Sequence, residues 1–183
     1  EMLKDYEGIV IMVSHSRDEI YRFSEELLIM DQGAPVIYGR TNEIFADPMY
    51  KEAAKLTGCK NFSRIERVDG HTARLLDWGI TLQVEKEIDE QAEWFGYRAH
   101  DFVPVWGERK KNCLKVNVES EAALPFERNY YLYPEGEENR DKQTICWFLQ
   151  RDRIIEVQEN GMPDYLELEQ EHMMFLRDRQ KEI

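Results

Sequence analysis

"IVIMVSHSRDEIYRFSEELLIMDQG" (residues 9–33) is the stretch on which the fold reading turns. "GIVIMV" (8–13) is continuously apolar rather than alternating, which suits a strand covered on both faces, as in a parallel sheet. The run ends at Ser14-His15. Ser16-x-x-Glu19 then forms a capping box, the hydroxyl accepting from the helix amide while the carboxylate reaches back. Ile20, Phe23, Ser24 and Leu27 follow at helical spacing, with Arg17, Arg22, Glu25 and Glu26 turned outward. "LLIM" (27–30) begins a second buried strand, Asp31-Gln32-Gly33 turns it, and "PVIYG" (35–39) returns as its hairpin partner. Thr41 or Asn42 opens a short helix through Phe45. Asp47-Pro48 opens another, with Asp as cap and Pro in the first helical position, and Gly58 supplies its left-handed stop.

Beyond residue 59 the texture changes. "RIERVDGHTARLL" reads as two short strands about Asp69-Gly70, and "ITLQVE" (80–85) alternates as a half-buried strand. The acidic loop "EKEIDEQAE" precedes "WFGYRAHDFVPVW", read as one strand, and "CLKVNVE" (113–119) alternates again. "RNYYLYPEGEENRDKQTICWFLQ" is a long hairpin with a charged tip. A short helix near Arg151–Glu159 and the strands "DYLEL" and "HMMFLR" finish the chain. Strands this short and evenly spaced predict a small closed or nearly closed barrel. The organisation is therefore α+β, with a boundary near Gly58 between residues 1–58 and 59–183.

Composition narrows the function classes. With 42% hydrophobic residues and 11% aromatics, the 183-residue chain can pack a core. A net charge of −13 is the wrong sign for displacing counterions from nucleic acid, so no nucleic-acid partner is expected. Cys59, Cys113 and Cys146 are odd in number and far apart, which fits reduced structural thiols rather than a disulfide frame or a zinc knuckle. No metal ligand set stands out. Glu1-Met2-Leu3-Lys4-Asp5-Tyr6 reads as the tail of a helix ended by Gly8, as if the chain continued from something longer.

A histidine at a strand end is often structural. Here its surroundings resemble the switch-histidine region of ABC-transporter ATPases: apolar strand, [ST]-H-[DS], a helix carrying Asp-Glu, then "D-x-x-x-x-[LIM]" and "x-x-G". "PVIYGRTNEIFADP" is similar to the family's next segment, and the likeness runs from about residue 1 to 58. It implies that residues 1–58 are the carboxyl-terminal remnant of a P-loop ATPase α/β domain. It also implies that His15 is the catalytic switch residue, with Ser14 and Asp18 as nucleotide-site neighbours. ATP and magnesium are implied for the intact subunit and no cofactor for this stretch alone. The sequence holds no G-x-x-x-x-G-K-[ST], no "SGGQ" and no apolar strand closing in Asp-Glu, so the other parts of such a site are missing from it.

Residues 59–183 resemble the OB-like accessory barrel (TOBE or MOP type) that follows the ATPase domain in one branch of that family. "GCKN" looks like its G-x-x-N step, and "WFGYRAHDFVPV" with "DWGITL" is most similar to molybdate and sulfate importers. The resemblance implies a homodimer on the cytoplasmic face of the membrane, working with permease subunits and an external substrate-binding protein. Arg98, His100 and Lys115 are candidate anion-binding residues of such a barrel, while a dimerisation or regulatory scaffold is the plainer reading. Trp78, Trp94, Trp106 and Trp147 are expected in its core or rim. Strands cut from a larger sheet are further expected either to pair with a second copy through Ile9–Val13, the favoured outcome, or to be covered by their own helices.

Overall fold

The computed structural model describes residues 8–135 and 144–179. The reading of Glu1–Tyr6 and the tip of the long hairpin lie outside the described residues. The first apolar run does not become the buried strand its composition predicts. Residues 9–13 form neither strand nor helix, and Ile9 and Val13 are 93% and 92% exposed. A run apolar on both faces needs ladder partners and cover on each side. The nearest strands in sequence pair with one another instead.

Helix α1 (Arg17–Phe23) starts at the capping box, with the Ser16 hydroxyl accepting from the Glu19 amide at 3.4 Å. The reciprocal half of the box is relayed. Glu19 accepts from the Ser14 hydroxyl at 2.8 Å, and the Ser16 N–H donates to Ser14 Oγ at 3.0 Å. The helix stops before the predicted Leu27 because Ser24 turns its hydroxyl onto the Ile20 carbonyl at 2.6 Å and leaves helical geometry. No α1 side chain is buried.

Strands β1 (Glu26–Asp31) and β2 (Ala34–Arg40) form the expected antiparallel hairpin. Its two turn residues, Gln32 and Gly33, have φ of 49° and 80°, the left-handed pair of a type I′ turn. Helices α2 (Thr41–Ala46) and α3 (Lys51–Leu56) follow. Ile29, Ile44 and Ala53 are buried together against Leu27, Val36, Ile37 and Tyr50, so the hairpin is covered by its own helices. Helix α3 begins three residues later than Asp47-Pro48 suggested. Met49 is left-handed at φ 57° and Tyr50 pairs with Arg177, which keeps this connection extended. Gly58, at φ 105°, follows the helix end as expected.

The rest of the chain runs β3 (Asn61–Arg67), β4 (Thr72–Leu75), β5 (Ile80–Gln83), β6 (Trp94–Tyr97), β7 (Val103–Val105), β8 (Cys113–Leu114) and β9 (Val116–Ala123). Then come β10 (Glu127–Pro134), β11 (Ile145–Gln150), α4 (Arg151–Asn160), β12 (Tyr165–Glu167), a 3-10 turn Gln170–His172 and β13 (Met174–Leu176). They assemble as a five-stranded sheet ordered β13-β6-β3-β4-β5 and two three-stranded sheets, β7-β12-β8 and β11-β10-β9. The class is mixed α+β, and among the described residues no sheet closes into a barrel. One reason lies in "WFGYRAHDFVPVW". A turn closed by the Asp101 N–H on the Arg98 carbonyl at 3.2 Å splits the predicted single strand, sending β6 and β7 to different sheets.

The sheets share one core, in which Trp78, Phe95, Tyr97, Phe102, Leu132 and Trp147 are buried. Trp106 sits at its margin and Trp94 packs against a second, smaller cluster, their indole N–H groups donating to the Gly161 carbonyl and to Asp178 at 3.1 and 3.0 Å. Single side chains stitch sheet to sheet. The Asn61 carboxamide donates to the Cys146 carbonyl at 2.9 Å and accepts from the Cys146 N–H at 2.7 Å. The buried Tyr97 hydroxyl donates to the Asp101 carbonyl and accepts from the Glu169 N–H. All three cysteines are free, and burial pushes the Cys59 thiol up to about 12, which keeps it protonated.

Contacts also cross the Gly58 position. Ala54, Cys59, Phe62, Met174 and Leu176 form one buried cluster. The Arg177 N–H donates to the Met49 carbonyl, its carbonyl accepts from the Lys51 N–H, and Arg179 donates to the Asp31 carbonyl at 3.0 Å. The last strand therefore straps the hairpin and helices onto the β-rich remainder.

Candidate functional site

His15 lies immediately before the Ser16 cap, exposed to solvent, with no hydrogen bond or ion pair among the described residues. Its neighbours are fixed by short-range geometry. Ser14 is locked between the Glu19 carboxylate and the Ser16 N–H, so the backbone on both sides of His15 is held while the imidazole stays free. Asp18 is exposed in the first turn of α1, where a carboxylate is favoured by the helix dipole. Ser14, His15 and Asp18 are thus brought to one helix end, with His15 the one whose ring is uncommitted.

Helix α1 is attached at its two ends. The Tyr21 ring meets Phe45 edge-on at 5.0 Å, and Ser24 shares a hydrogen bond with Thr41 at 3.2 Å. Near its start, Arg17 lies so close to Gly58 that a Cβ there would clash with the guanidinium. Helical spacing alone turns Arg17 to solvent. Its contact is between residues 41 positions apart, and periodicity carries no signal for it. A polar hollow of about 510 Å³ opens beside Tyr21, Ser24, Glu25, Arg40 and Thr41. It belongs to the far end of α1, about 10 Å from the cap by helical rise, and so is not the space in front of His15.

The three candidate anion ligands do not converge. Arg98 donates from its two terminal nitrogens to the Thr57 and Phe45 carbonyls at 2.7 and 2.6 Å. His100 stands 3.5 Å from Glu127, and Lys115 pairs with Glu135 at 2.9 Å. Glu127 opens β10 and Glu135 follows its end, which puts the two partners about 26 Å apart at 3.3 Å per extended residue. The pairing with Glu135 holds the Lys115 ammonium above its usual range. Each of the three side chains already faces an acceptor from the chain.

A divalent cation would find one group of three donors among the described residues: Glu169, Glu171 and His172, with ligand atoms within 4.8 Å of one another. The His172 and Glu169 side chains are 43% and 42% exposed, and His172 also faces Asp101 at 3.9 Å. Water competes for every member, and no buried donor anchors the group. The larger hollow, about 880 Å³ and lined by Leu124, Pro125, Phe126 and Ile155, is shallow and apolar. Glu127, Gln150, Arg151 and Asp152 complete its lining, and Glu127 is the residue that faces His100. No helix among the described residues is long and apolar enough to cross a membrane.

No family model matches the sequence. Among curated proteins the chain is similar to the molybdenum import ATP-binding protein ModC of Photobacterium profundum, 27% identical over 108 residues. The match takes in 55% of this chain and spans 30% of that protein's length. The likeness is thus to part of an ABC ATPase-related protein.

Proposed function

We propose that this chain forms the switch-histidine region and the accessory β-rich unit of the ATP-hydrolysing subunit of an ABC importer, one for an oxyanion such as molybdate or sulfate. The observation that carries the reading is His15 itself. Its imidazole is uncommitted, directly ahead of a capped helix, in a segment that goes on through hairpin and two short helices in the order of the family it resembles. The similarity to a molybdenum import protein supports the substrate class. An importer of another class, such as a sugar or a polyamine, is the alternative.

A neutral imidazole in this place can donate one hydrogen bond to a terminal phosphate and lose it when that phosphate departs. Ser14 holds the backbone for it, and Asp18 stands on the next turn. In this reading His15 supplies a single phosphate contact, and the rest of the nucleotide and magnesium site comes from other parts of the subunit. ATP and magnesium are, in this reading, bound by the intact subunit. That subunit would act as a homodimer on the cytoplasmic face of the membrane, with permease subunits and an external substrate-binding protein. The 183-residue chain alone is expected to show no magnesium-dependent ATP turnover. Turnover in a purified sample that disappears in His15→Ala would overturn this division of labour.

Residues 59–183 act in this reading as a dimerisation and regulatory scaffold, in the position of the family's OB-like accessory barrel. Its short strands around one core, and the prior pairing of Arg98, His100 and Lys115, favour a scaffold over an oxyanion sensor. Millimolar molybdate or tungstate is accordingly expected to leave the melting temperature unchanged. A true site would add about 2.7 kcal/mol at a hundredfold excess over its dissociation constant. A saturable rise lost in His100→Ala or Lys115→Ala would establish the sensor instead.

A further inference from the structure

We infer that Arg98 is a positioning residue for His15, the joint through which the β-rich unit sets where the histidine-bearing helix sits. Arg98 stands at the end of β6, rooted in the large core by its neighbours Tyr97 and Ala99, both buried. Its guanidinium forks between two carbonyls of the other half of the chain, Phe45 in the last turn of α2 and Thr57 at the end of α3. Charge-assisted bonds at 2.6 and 2.7 Å to two separate helix ends fix the spacing between them. A planar fork does this where an ammonium acts as a single point charge.

Those two helix ends are also where α1 is docked. The ring of Phe45 carries Tyr21, and Gly58, the residue after Thr57, lies under Arg17. Helix α1 buries none of its own side chains, so its position depends on these surface attachments rather than on a core. The path is short and physically continuous: β6, Arg98, the carbonyls of Phe45 and Thr57, the Tyr21 and Arg17 contacts, α1, and the Ser14–Ser16 cap that presents His15. A change in the β-rich unit that moves the end of β6 would move the histidine with it. The inference rests on the proposed role of His15 for its functional meaning, whereas the mechanical link stands apart from that role.

The test separates the two. In the full chain, Arg98→Ala is expected to speed amide hydrogen exchange at Ile20–Ser24 about 10- to 100-fold. Amides of the β10–β11 ladder should be unaffected, and Arg98→Lys should recover part of the protection. Arg17→Ala, which cuts the path at its other end, should produce the same acceleration with the Arg98 fork intact. Unchanged exchange in α1 for either alanine variant overturns the link. Should Arg98→Ala also release the β10–β11 ladder, the comparison passes to Arg98→Lys and Arg17→Ala, where the same outcomes decide. In the subunit that contains this chain, Arg98→Ala should lower kcat for ATP with little change in KM. If exchange responds but kcat does not, the link is real and the proposed role of His15 is what fails.

Discussion

His15→Ala, made in the ATP-hydrolysing subunit that contains this chain, is expected to leave nucleotide affinity nearly intact and to cut turnover by roughly 10²- to 10⁴-fold. The figure follows from what the side chain can do. His15 has no structural partner among the described residues, so its removal should cost the fold little, and the loss should fall on the step in which it touches the reacting phosphate. At about 1.4 kcal/mol per tenfold, the effect corresponds to about 3–5 kcal/mol of transition-state stabilisation. Affinity should hold because one hydrogen bond among the many that grip a nucleotide contributes little to binding. His15→Gln, which keeps an N–H donor at similar reach, should retain more turnover than the alanine variant. Equal losses in affinity and turnover would mean that His15 merely binds, and an unchanged rate would remove it from the site altogether. Melting temperatures of both variants should match the parent, which distinguishes this outcome from simple unfolding.

What could be read from the sequence was local. The Ser16 cap, the Gln32-Gly33 turn, the Asp69-Gly70 hairpin, the helix after Gln150 and the buried Trp78 and Trp147 all depend on residues within a few positions of one another, or on bulk hydrophobicity. Capping chemistry, turn preferences and alternation act over that range. The misreading of "GIVIMV" shows the limit. Apolar composition states that a segment should be buried, and it does not say whether a partner strand exists to bury it. The same limit hid the break at Arg98–Asp101, where a run of strand-like residues turns and joins two different sheets.

The candidate site divides along the same line. His15 and Ser14 could be proposed because they belong to a contiguous pattern. Arg98 stands out in the sequence only as a cation near a strand end, and its two acceptors lie 41 and 53 positions away. Lys115 and His100 look equally available until the fold sets carboxylates beside them. In a chain with 37 acidic residues against 24 basic ones, an apparently spare cation is more often balanced by a distant acid than reserved for a ligand. Charge excess therefore weakens any site assigned from a lone Arg, His or Lys.

Asn61 is the position where a small change should cost the fold most for the atoms removed. Its side chain is 1% exposed, and its carboxamide makes a two-way pair with the backbone of Cys146, 85 residues further on. The amide thus stands in for a rung of sheet between β3 and β11, joining two sheets that share no ladder of their own. Asn61→Ala strips that rung and leaves an N–H and a carbonyl of Cys146 without their partner. At about 1–3 kcal/mol for each buried group left unpaired, with Cys146 itself partly exposed, the expected loss is about 2–4 kcal/mol. For a chain of this size that is on the order of 5–15 °C in melting temperature. Asn61→Asp is expected to do no better, since it keeps an acceptor for the Cys146 N–H but sets a charge in the core and faces the carbonyl with a second oxygen. Ser63→Ala provides the control nearby. Its hydroxyl accepts from the Asp77 N–H at 3.0 Å without bridging sheets, and its removal should cost about 1 kcal/mol. Chemical denaturation should therefore place both Asn61 variants well below Ser63→Ala in stability. If Asn61→Ala unfolds within about 1 kcal/mol of the parent, the two sheets are held by the shared core alone and the side-chain rung is incidental.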